Sequence, residues 1–473
     1  MPDTWRVPSE QLADFLKERR WFGGKGRVIR AAQVLDAFPV RWPQSERTFA
    51  VARVRVATDD GESTYQLFLM PGASRVEDAL EDTEFRRGLV DAFARGVRVD
   101  AAQGKGTARW VIASETEKPL VVPPAAPVTL VSTEQTNSSV IIDQEGILKL
   151  YRKLEPGINP DVEVTRFLTV DRSFPHVPVL LGSINFEDAG GVTTAGMLQE
   201  LVPGATDAWS YTLERAREFL DSRDAPETTA FVEEARQLGV VTRELHEALA
   251  SGESGSAFEQ HTARVEDVTR WCQGARRTIS RAMQTLDAAL RDHRVASSVD
   301  ADARALLDRR AEFLQLPTAI AGRIGADAGG TARTHGDYHL GQVLRSANER
   351  FLIIDFEGEP ARPMAERRAH QSPLRDVAGM LRSFAYAAAT TGNDDPRADA
   401  WERAVRDAFL TAYLDRTDSA LLPRTASNVR HLLKLFEAEK VFYELHYELD
   451  HRPDWAWIPV HGITTLGAAE GLA

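Results

Sequence analysis

Two short segments of the chain bring together residue types that can do chemistry. The first is His335-Gly336-Asp337-Tyr338-His339-Leu340-Gly341-Gln342; the second, Asp355-Phe356-Glu357-Gly358-Glu359-Pro360, stands at the end of the apolar run Phe351 to Ile354. The first segment reads as a loop that exposes a carboxylate and, a little later, an amide. The second reads as a strand that delivers another carboxylate to the same region. A base, an amide ligand and a metal carboxylate at such spacing are what phosphoryl transfer from a nucleotide requires, because that reaction depends on positioning and charge neutralisation more than on covalent chemistry. Asp337 is the expected general base, accepting or orienting the proton of an attacking hydroxyl. Gln342 and Asp355 are the expected Mg²⁺ ligands, since Mg²⁺ favours hard oxygen donors. An aspartate that directly follows an apolar strand is costly unless a partner such as a metal satisfies it. Glu357 stands either as a further ligand or as a group behind the ligands.

His335 and His339 have the spacing of a metal pair, but a loop context with no third nitrogen or sulfur donor nearby argues against one. His335 is expected to organise the loop by hydrogen bonds close to the substrate, and His339 to steady the same loop or approach the substrate. Lys149 lies in the apolar strand Ile147 to Tyr151, where an inward ammonium is expensive without an anionic partner. The functional reading pairs it with nucleotide phosphates and with Glu163; the plainer one is an exposed strand lysine. The polar turn Gln135-Thr136-Asn137-Ser138-Ser139 could wrap phosphates with N–H groups and hydroxyls, although it lacks the glycines of a strong phosphate loop. Gln199, Glu200 and Val202 end the last strand of the β-rich half, where a connector's backbone could meet an adenine edge. Asp376, at the start of a helix, is expected to cap backbone N–H groups of the catalytic loop. Near the C-terminus, Tyr443, Glu444, Tyr447, Glu448 and Trp455 combine rings and carboxylates in a way that suits a sugar, although aromatics at helical spacing are more often core.

The elements that must position these groups follow from periodicity. Residues 9–20 read as a short amphipathic helix, then strands span Thr48 to Val56 and Thr64 to Met70, so residues 1–90 form a small α+β unit. The proline-rich stretch Pro119 to Pro127 reads as a connection. Residues 91–202 form a second, β-rich unit with strands at Val140 to Ile142, Ile147 to Tyr151, Val177 to Gly182 and Ala195 to Val202. A helix over Asn159 to Leu168 has Pro160 in its first turn. Residues 203–473 are helical, over 211–250, 257–295, 301–315, 374–390, 397–415 and 427–449, except for the segment 331–360 that carries the chemistry.

Bulk properties set limits. A chain of 473 residues with 43% hydrophobic and 27% charged content is an ordinary globular protein of two or three units. The net charge of −13 argues against general nucleic-acid binding, which needs basic surface. No apolar run approaches the ~18 residues of a membrane span, and the N-terminus has no signal core, so a cytoplasmic protein is expected. The single cysteine, Cys272, reads as an incidental thiol.

At this point the residues resemble a known family. The segments His335 to Leu344, Asp355 to Pro363 and Ser372-Pro373-Leu374-Arg375-Asp376-Val377-Ala378-Gly379-Met380 are similar to those of actinobacterial-type maltokinases. So are Glu134 to Ser139, Arg452-Pro453-Asp454-Trp455 and the N-terminal Trp21-Phe22-Gly23-Gly24-Lys25-Gly26. The resemblance covers essentially the whole chain. It implies an α+β, eukaryotic protein kinase-like bilobal fold of the aminoglycoside-phosphotransferase kind: a cystatin-like cap, an intermediate β-rich subdomain that binds nucleotide, and a mainly helical C-lobe. It implies ATP and Mg²⁺ as cofactors and phosphorylation of maltose at its anomeric hydroxyl, feeding α-glucan and glycogen synthesis, with docking to another glucan-pathway enzyme conceivable. On this chain Asp337 would be the base, Gln342 and Asp355 the magnesium ligands, and Lys149 with Glu163 the phosphate-orienting pair. Unlike typical protein kinases, the chain has Gln342 in place of asparagine, Glu357 in place of glycine, and no glycine-rich lid. Relatives with the same motifs phosphorylate glucosamine, which would favour carboxylates such as Glu444, Glu448 or Asp450 around the amine. The same motifs would also fit an aminoglycoside-type phosphotransferase, or a pseudokinase that binds nucleotide without transfer.

Overall fold

The computed structural model describes residues 5–468, apart from residue 25 and residues 71–75, 113–122, 124–125, 132–135, 223–230, 361, 393–394 and 416–419. The chain divides into two compact units, Met1–Gly204 and Ala205–Ala473.

In the N-terminal unit, helix α1 (Ser9–Lys17) buries Leu12, Phe15 and Leu16, the side expected from their spacing. Strands β1 (Ile29–Val40), β2 (Phe49–Thr58) and β3 (Gly61–Leu69) form an antiparallel meander. Helix α2 (Thr83–Ala94) starts at Asp82, whose carboxylate accepts from the N–H groups of Glu84 and Phe85. Short strands β4 (Arg98–Asp100), β5 (Thr107–Ile112) and β6 (Val128–Leu130) follow, then β7 (Asn137–Ile142), β8 (Gly146–Tyr151) and β9 (Lys153–Leu154). Helix α3 (Pro160–Arg166) precedes the hairpin β10 (Leu180–Asp188) and β11 (Gly191–Glu200). The strands make a four-stranded sheet in the order β1-β2-β3-β9 and a seven-stranded sheet in the order β4-β5-β10-β11-β8-β7-β6.

Two apolar clusters hold this unit. One packs α1 and Phe22 on Val54, Tyr65 and Leu67. The other joins Phe85, Leu89 and Phe93 of α2 to Trp110, Leu148, Leu150 and Met197 of the larger sheet. Arg152 is buried between the rings of Trp21 and Phe68, 4.6 Å from each, and its charge is met by Asp78 at 2.7 Å. A guanidinium in that setting needs such a partner.

The C-terminal unit begins with β12 (Thr206–Asp207) and helices α4 (Ala208–Asp221) and α5 (Val232–Leu249). The helix expected over 257–295 starts later, because His261–Thr262 (β13) pairs with Gly330–Thr331 (β14) before α6 (Val265–Arg291) begins. Helices α7 (Asp300–Asp308) and α8 (Arg310–Ile324) lead to the segment that bears the motifs, where β15 (Val343–Arg345) and β16 (Phe351–Ile353) join β12 in a small sheet. After the one-turn helix α9 (Met364–Arg367) come α10 (Leu374–Thr391), α11 (Pro396–Leu414), α12 (Ala426–His451) and α13 (Trp457–Ala468). The core between α6 and α12 is built from Ile279, Met283, Leu286, Val441, Phe442 and Leu445. No helix among the described residues is long and apolar enough to cross a membrane.

Candidate active site

The segment His335 to Gln342 is a loop held at several points. Gly336 has φ +84, a left-handed conformation that glycine adopts without penalty. A Cβ on Gly379 of α10 would come within 2.5 Å of the Tyr338 carbonyl oxygen, so the missing side chain lets the loop lie on the helix. Tyr338 is buried, and its hydroxyl lies 3.0 Å from Thr242 Oγ1 on α5. The N–H of Leu340 donates to Ser383 Oγ. Asp376, in the first turn of α10, accepts from the N–H groups of His335 and Gly336, as expected of a loop cap. Its other neighbour is His246, with Nε2 3.2 Å from Oδ2. Burial would raise the Asp376 pKa, but His246, His335 and the Gly336 N–H outweigh it and hold the carboxyl below its ordinary value.

His335 is turned into the loop. Its Nε2 lies 2.9 Å from the Ile354 carbonyl oxygen and its ring packs on Phe356. These contacts hold the loop together, and the ring is not among the groups that line the cavity beside Asp337. His339 accepts the Gly341 N–H at Nδ1, 3.0 Å away. Burial, only partly offset by Asp337, keeps its pKa low.

Asp337 lies on the wall of a cavity of about 640 Å³, lined also by Glu359, Arg362, Lys440, Tyr443 and Tyr447. Lys440 Nζ is 3.2 Å from Asp337 Oδ1. Burial of Asp337 works against its charge, but Lys440, His339 and His335 prevail and leave its pKa below the usual carboxylate value. The Lys440 pKa is raised above its ordinary value: burial opposes its charge, and Asp337, Glu359, Glu444 and Tyr443 more than compensate. Tyr443 is pushed up to about 12 by burial and by Glu359, so its hydroxyl keeps its proton. Lys440 is the cavity residue in contact with Asp337 that the motifs do not reveal. Its place at helical spacing before Tyr443 and Tyr447, on one face of α12, is the signal the sequence holds.

Those two tyrosines stack at 6.4 Å, and Tyr447 stacks in turn on His451 at 4.4 Å. The carboxylates expected beside them are elsewhere. Glu444 is buried and takes both Nε and Nη2 of Arg382 on α10, at 3.0 and 2.8 Å. Glu448 is buried against Arg452 and the hydroxyl of Tyr386. Each follows a cavity-facing tyrosine by one residue, which turns it about 100° round the helix. Both carboxylates, expected beside the substrate, are instead engaged in these ion pairs and do not line the cavity. Trp455 lies outside the cavity lining, with the Arg452 guanidinium 4.8 Å from its ring centre.

Asp355 follows β16 with φ +67, a conformation rare outside glycine, asparagine and aspartate. Gln342 Nε2 donates to Asp355 Oδ2 at 3.0 Å, so amide and carboxylate converge. An oxygen of Glu357 lies within 4.8 Å of one of Asp355. This all-oxygen set has the chemistry that suits a hard divalent cation.

On the N-terminal unit, Lys149 projects from β8 and pairs with Asp161 at 3.0 Å. Tyr151 Oη is 3.3 Å from the same oxygen. Glu163, the partner expected for Lys149, lies two residues further along α3 than Asp161. Gln135 falls outside the described residues. Thr136 is exposed, but Asn137, Ser138 and Ser139 are strand residues paired with Tyr151, Leu150 and Lys149, so the expected polar turn is largely β7. Ser138 Oγ is also engaged, accepting from Arg152 Nε. Gln199 and Glu200 end β11, with Gln199 Nε2 donating to the Pro178 carbonyl oxygen and the Glu200 N–H to that of Val179; Val202 lies just beyond, partly exposed. Cys272 is buried and its thiol is pushed up to about 11, consistent with an inert group.

Residues 15–114 match the family described as the maltokinase N-terminal cap domain. The chain is 28% identical over 343 residues to a glucosamine kinase of Mycolicibacterium smegmatis, covering 71% of this chain and 78% of that protein. It is also 28% identical over 355 residues to a glucosamine kinase of Streptacidiphilus jiangxiensis, covering 72% and 74%. Among solved structures it is similar to a glucosamine kinase, with a TM-score of 0.71, 22% identity and coverage of 94% and 95% of the two chains. A glucosamine kinase in complex with glucosamine, ADP and inorganic phosphate gives a TM-score of 0.67 at 24% identity, covering 92% and 93%. The fold is kinase-like, with a β-rich N-terminal part that carries the cap domain and a helical C-terminal part.

Proposed function

We propose that this chain is an ATP-dependent sugar kinase that phosphorylates maltose at its anomeric hydroxyl. The observation that carries the reading is Asp337: a partly buried carboxylate, its pKa held down by Lys440, on the wall of a cavity that also presents stacked tyrosines. Ring faces of this kind suit the C–H face of a sugar. Asp337 Oδ1 is engaged by Lys440, which leaves its second oxygen for an acceptor hydroxyl. In the reaction the acceptor O–H bond breaks and its proton passes to Asp337. An O–P bond forms to the terminal phosphoryl group, and the bond from that phosphorus to ADP breaks. A loose transition state asks little of the base, so a carboxylate of low pKa is adequate.

Gln342 and Asp355, with Glu357 near, would hold Mg²⁺, which would supply neutralisation of the phosphate charge. Lys149, kept in place by Asp161, would orient the nucleotide phosphates, and the strand end from Gln199 to Val202 would face the base. Thr136, Asn137, Ser138 and Ser139 are proposed near the nucleotide only through their position at the start of β7, opposite Lys149.

Two observations favour maltose. The cap domain is of the maltokinase kind. Of the three carboxylates expected around an amine, Glu444 and Glu448 are buried in ion pairs with arginines, and Asp450 lines the cavity 3.5 Å from His446. Glucosamine is the second reading, because the curated relatives are glucosamine kinases. The test is ATP consumption with maltose, glucose and glucosamine in parallel, with the products identified. Formation of maltose 1-phosphate at the highest kcat/KM supports the first reading; glucosamine 6-phosphate as the preferred product supports the second.

A further inference from the structure

We propose that Lys440 sets the charge class of the phosphoryl acceptor, selecting a neutral sugar over one that carries an ammonium group beside the reacting hydroxyl. The inference rests on the sugar-kinase reading and deepens it.

Each carboxylate that lines the cavity has a polar or ionic neighbour. Asp337 has Lys440 at 3.2 Å. Glu359 has Arg362, and Glu439 has both Arg362 at 3.1 Å and Arg375 at 2.9 Å. Glu366 lies 3.9 Å from Arg362, and Asp450 lies 3.5 Å from His446. Asp376 is occupied by two backbone N–H groups and His246. Arg277 and Arg281, one turn apart on α6, also line the cavity and meet no carboxylate among the described residues. Arg362 is shared among Glu359, Glu439 and Glu366, so the lining as a whole is near balance rather than acidic, and the cation nearest the acceptor is Lys440, where a like-charge contact is unfavourable. Lys440 matters most in this balance because it touches the group that receives the acceptor proton.

The groups that face Lys440 come from three elements. The catalytic loop contributes Asp337, with His339 beside it; the segment after β16 contributes Glu359; α12 contributes Tyr443 and Glu444. These hold the ammonium charged across the neutral range. The titration of Asp337 and His339 is common to all acceptors and cancels from a ratio of two of them.

The matched pair is glucose and glucosamine, which differ only in the hydroxyl or amine at C2, and the comparison is made on the 1-phosphate products, because the amine adjoins the reacting hydroxyl only for transfer to the anomeric oxygen. The experiment measures kcat/KM for maltose, glucose and glucosamine, from pH 6 to about 9, with full-length wild type, K440M and K440R. The expected wild-type result is a glucose preference over glucosamine of at least about tenfold that narrows as the amine loses its proton. K440M should erase most of that preference, and K440R should retain it. A mere structural role for Lys440 would lower all three rates together and leave the ratio and its pH dependence unchanged; that outcome overturns the proposal. A wild-type preference for glucosamine overturns it as well, even if K440M does not fold, because it is read on the wild type alone. Failure of wild type to phosphorylate any of the three sugars is a different result, and it removes the sugar-kinase reading itself.

Discussion

Asp376 Oδ1 accepts a hydrogen bond from the backbone N–H of Gly336 at 2.9 Å, across 40 residues of sequence. The carboxylate thereby fixes the residue just before Asp337 to the first turn of α10. The buried charge is stabilised by its donors, so its removal leaves two N–H groups and His246 without an acceptor. Asp376→Ala should destabilise the C-terminal unit by about 3 kcal/mol, read as an earlier denaturant transition, and should lower kcat more than it raises KM. The folded pKa of Asp376 is depressed. Its contribution is therefore present above the unfolded value of about 3.9 and is lost as pH falls through the folded value. The stability gap between wild type and Asp376→Asn should narrow only below about pH 4.

Asp337→Asn keeps the shape and removes the base. Turnover should fall by about 10²–10⁴-fold, while nucleotide affinity, measured by calorimetry, stays near wild type. Wild-type rates in this variant would remove the role assigned to Asp337.

Asp355 combines a charge with a left-handed backbone, and the two can be separated. Asparagine tolerates that conformation, whereas alanine pays a steric cost of about 1–2 kcal/mol. Asp355→Asn should fold normally and require far more Mg²⁺ for half-maximal rate. Asp355→Ala should show the same metal defect and a stability loss as well. A Mg²⁺ titration of both variants, with thermal melts, separates the effects.

Glu444 and Tyr447 are three residues apart on α12 but should fail differently. Glu444→Ala leaves Arg382 charged and buried, at a cost of about 3–5 kcal/mol, with little change in sugar KM for the fraction that folds. Tyr447 is 41% exposed. Tyr447→Ala should leave the melting temperature unchanged and raise KM for maltose by about threefold to tenfold, the equivalent of one lost ring contact. The reverse pattern would return Glu444 to the substrate.

Secondary structure is legible where a single period persists. The buried face of α1, the hairpin β2–β3 and the long helices α10, α11 and α12 appear within a few residues of their expected limits. Three of the elements absent from the expectations show why. In β1, polar Gln33 and Asp36 interrupt the apolar pattern, and Asp36 is buried because Arg53 meets it. Helix α2 does carry Phe85, Leu89 and Phe93 at helical spacing, a signal confined to three turns. Helix α13 contains Pro459 in its first turn, where the missing N–H costs nothing.

The loop from His335 to Gln342 can be recognised from the chain because its groups are neighbours in sequence, and a turn of glycine and aspartate has few conformations available. Lys440 cannot, since its meeting with Asp337 spans 103 residues and depends on how α12 is rotated about its own axis. That rotation is set by packing: Val441, Phe442 and Leu445 turn toward α6, Glu444 turns toward Arg382, and the remaining face presents Lys440, Tyr443 and Tyr447 to the cavity. Local chemistry was written in contiguous residues, while the choice of which side of a helix meets the acceptor emerged from the burial of its other sides.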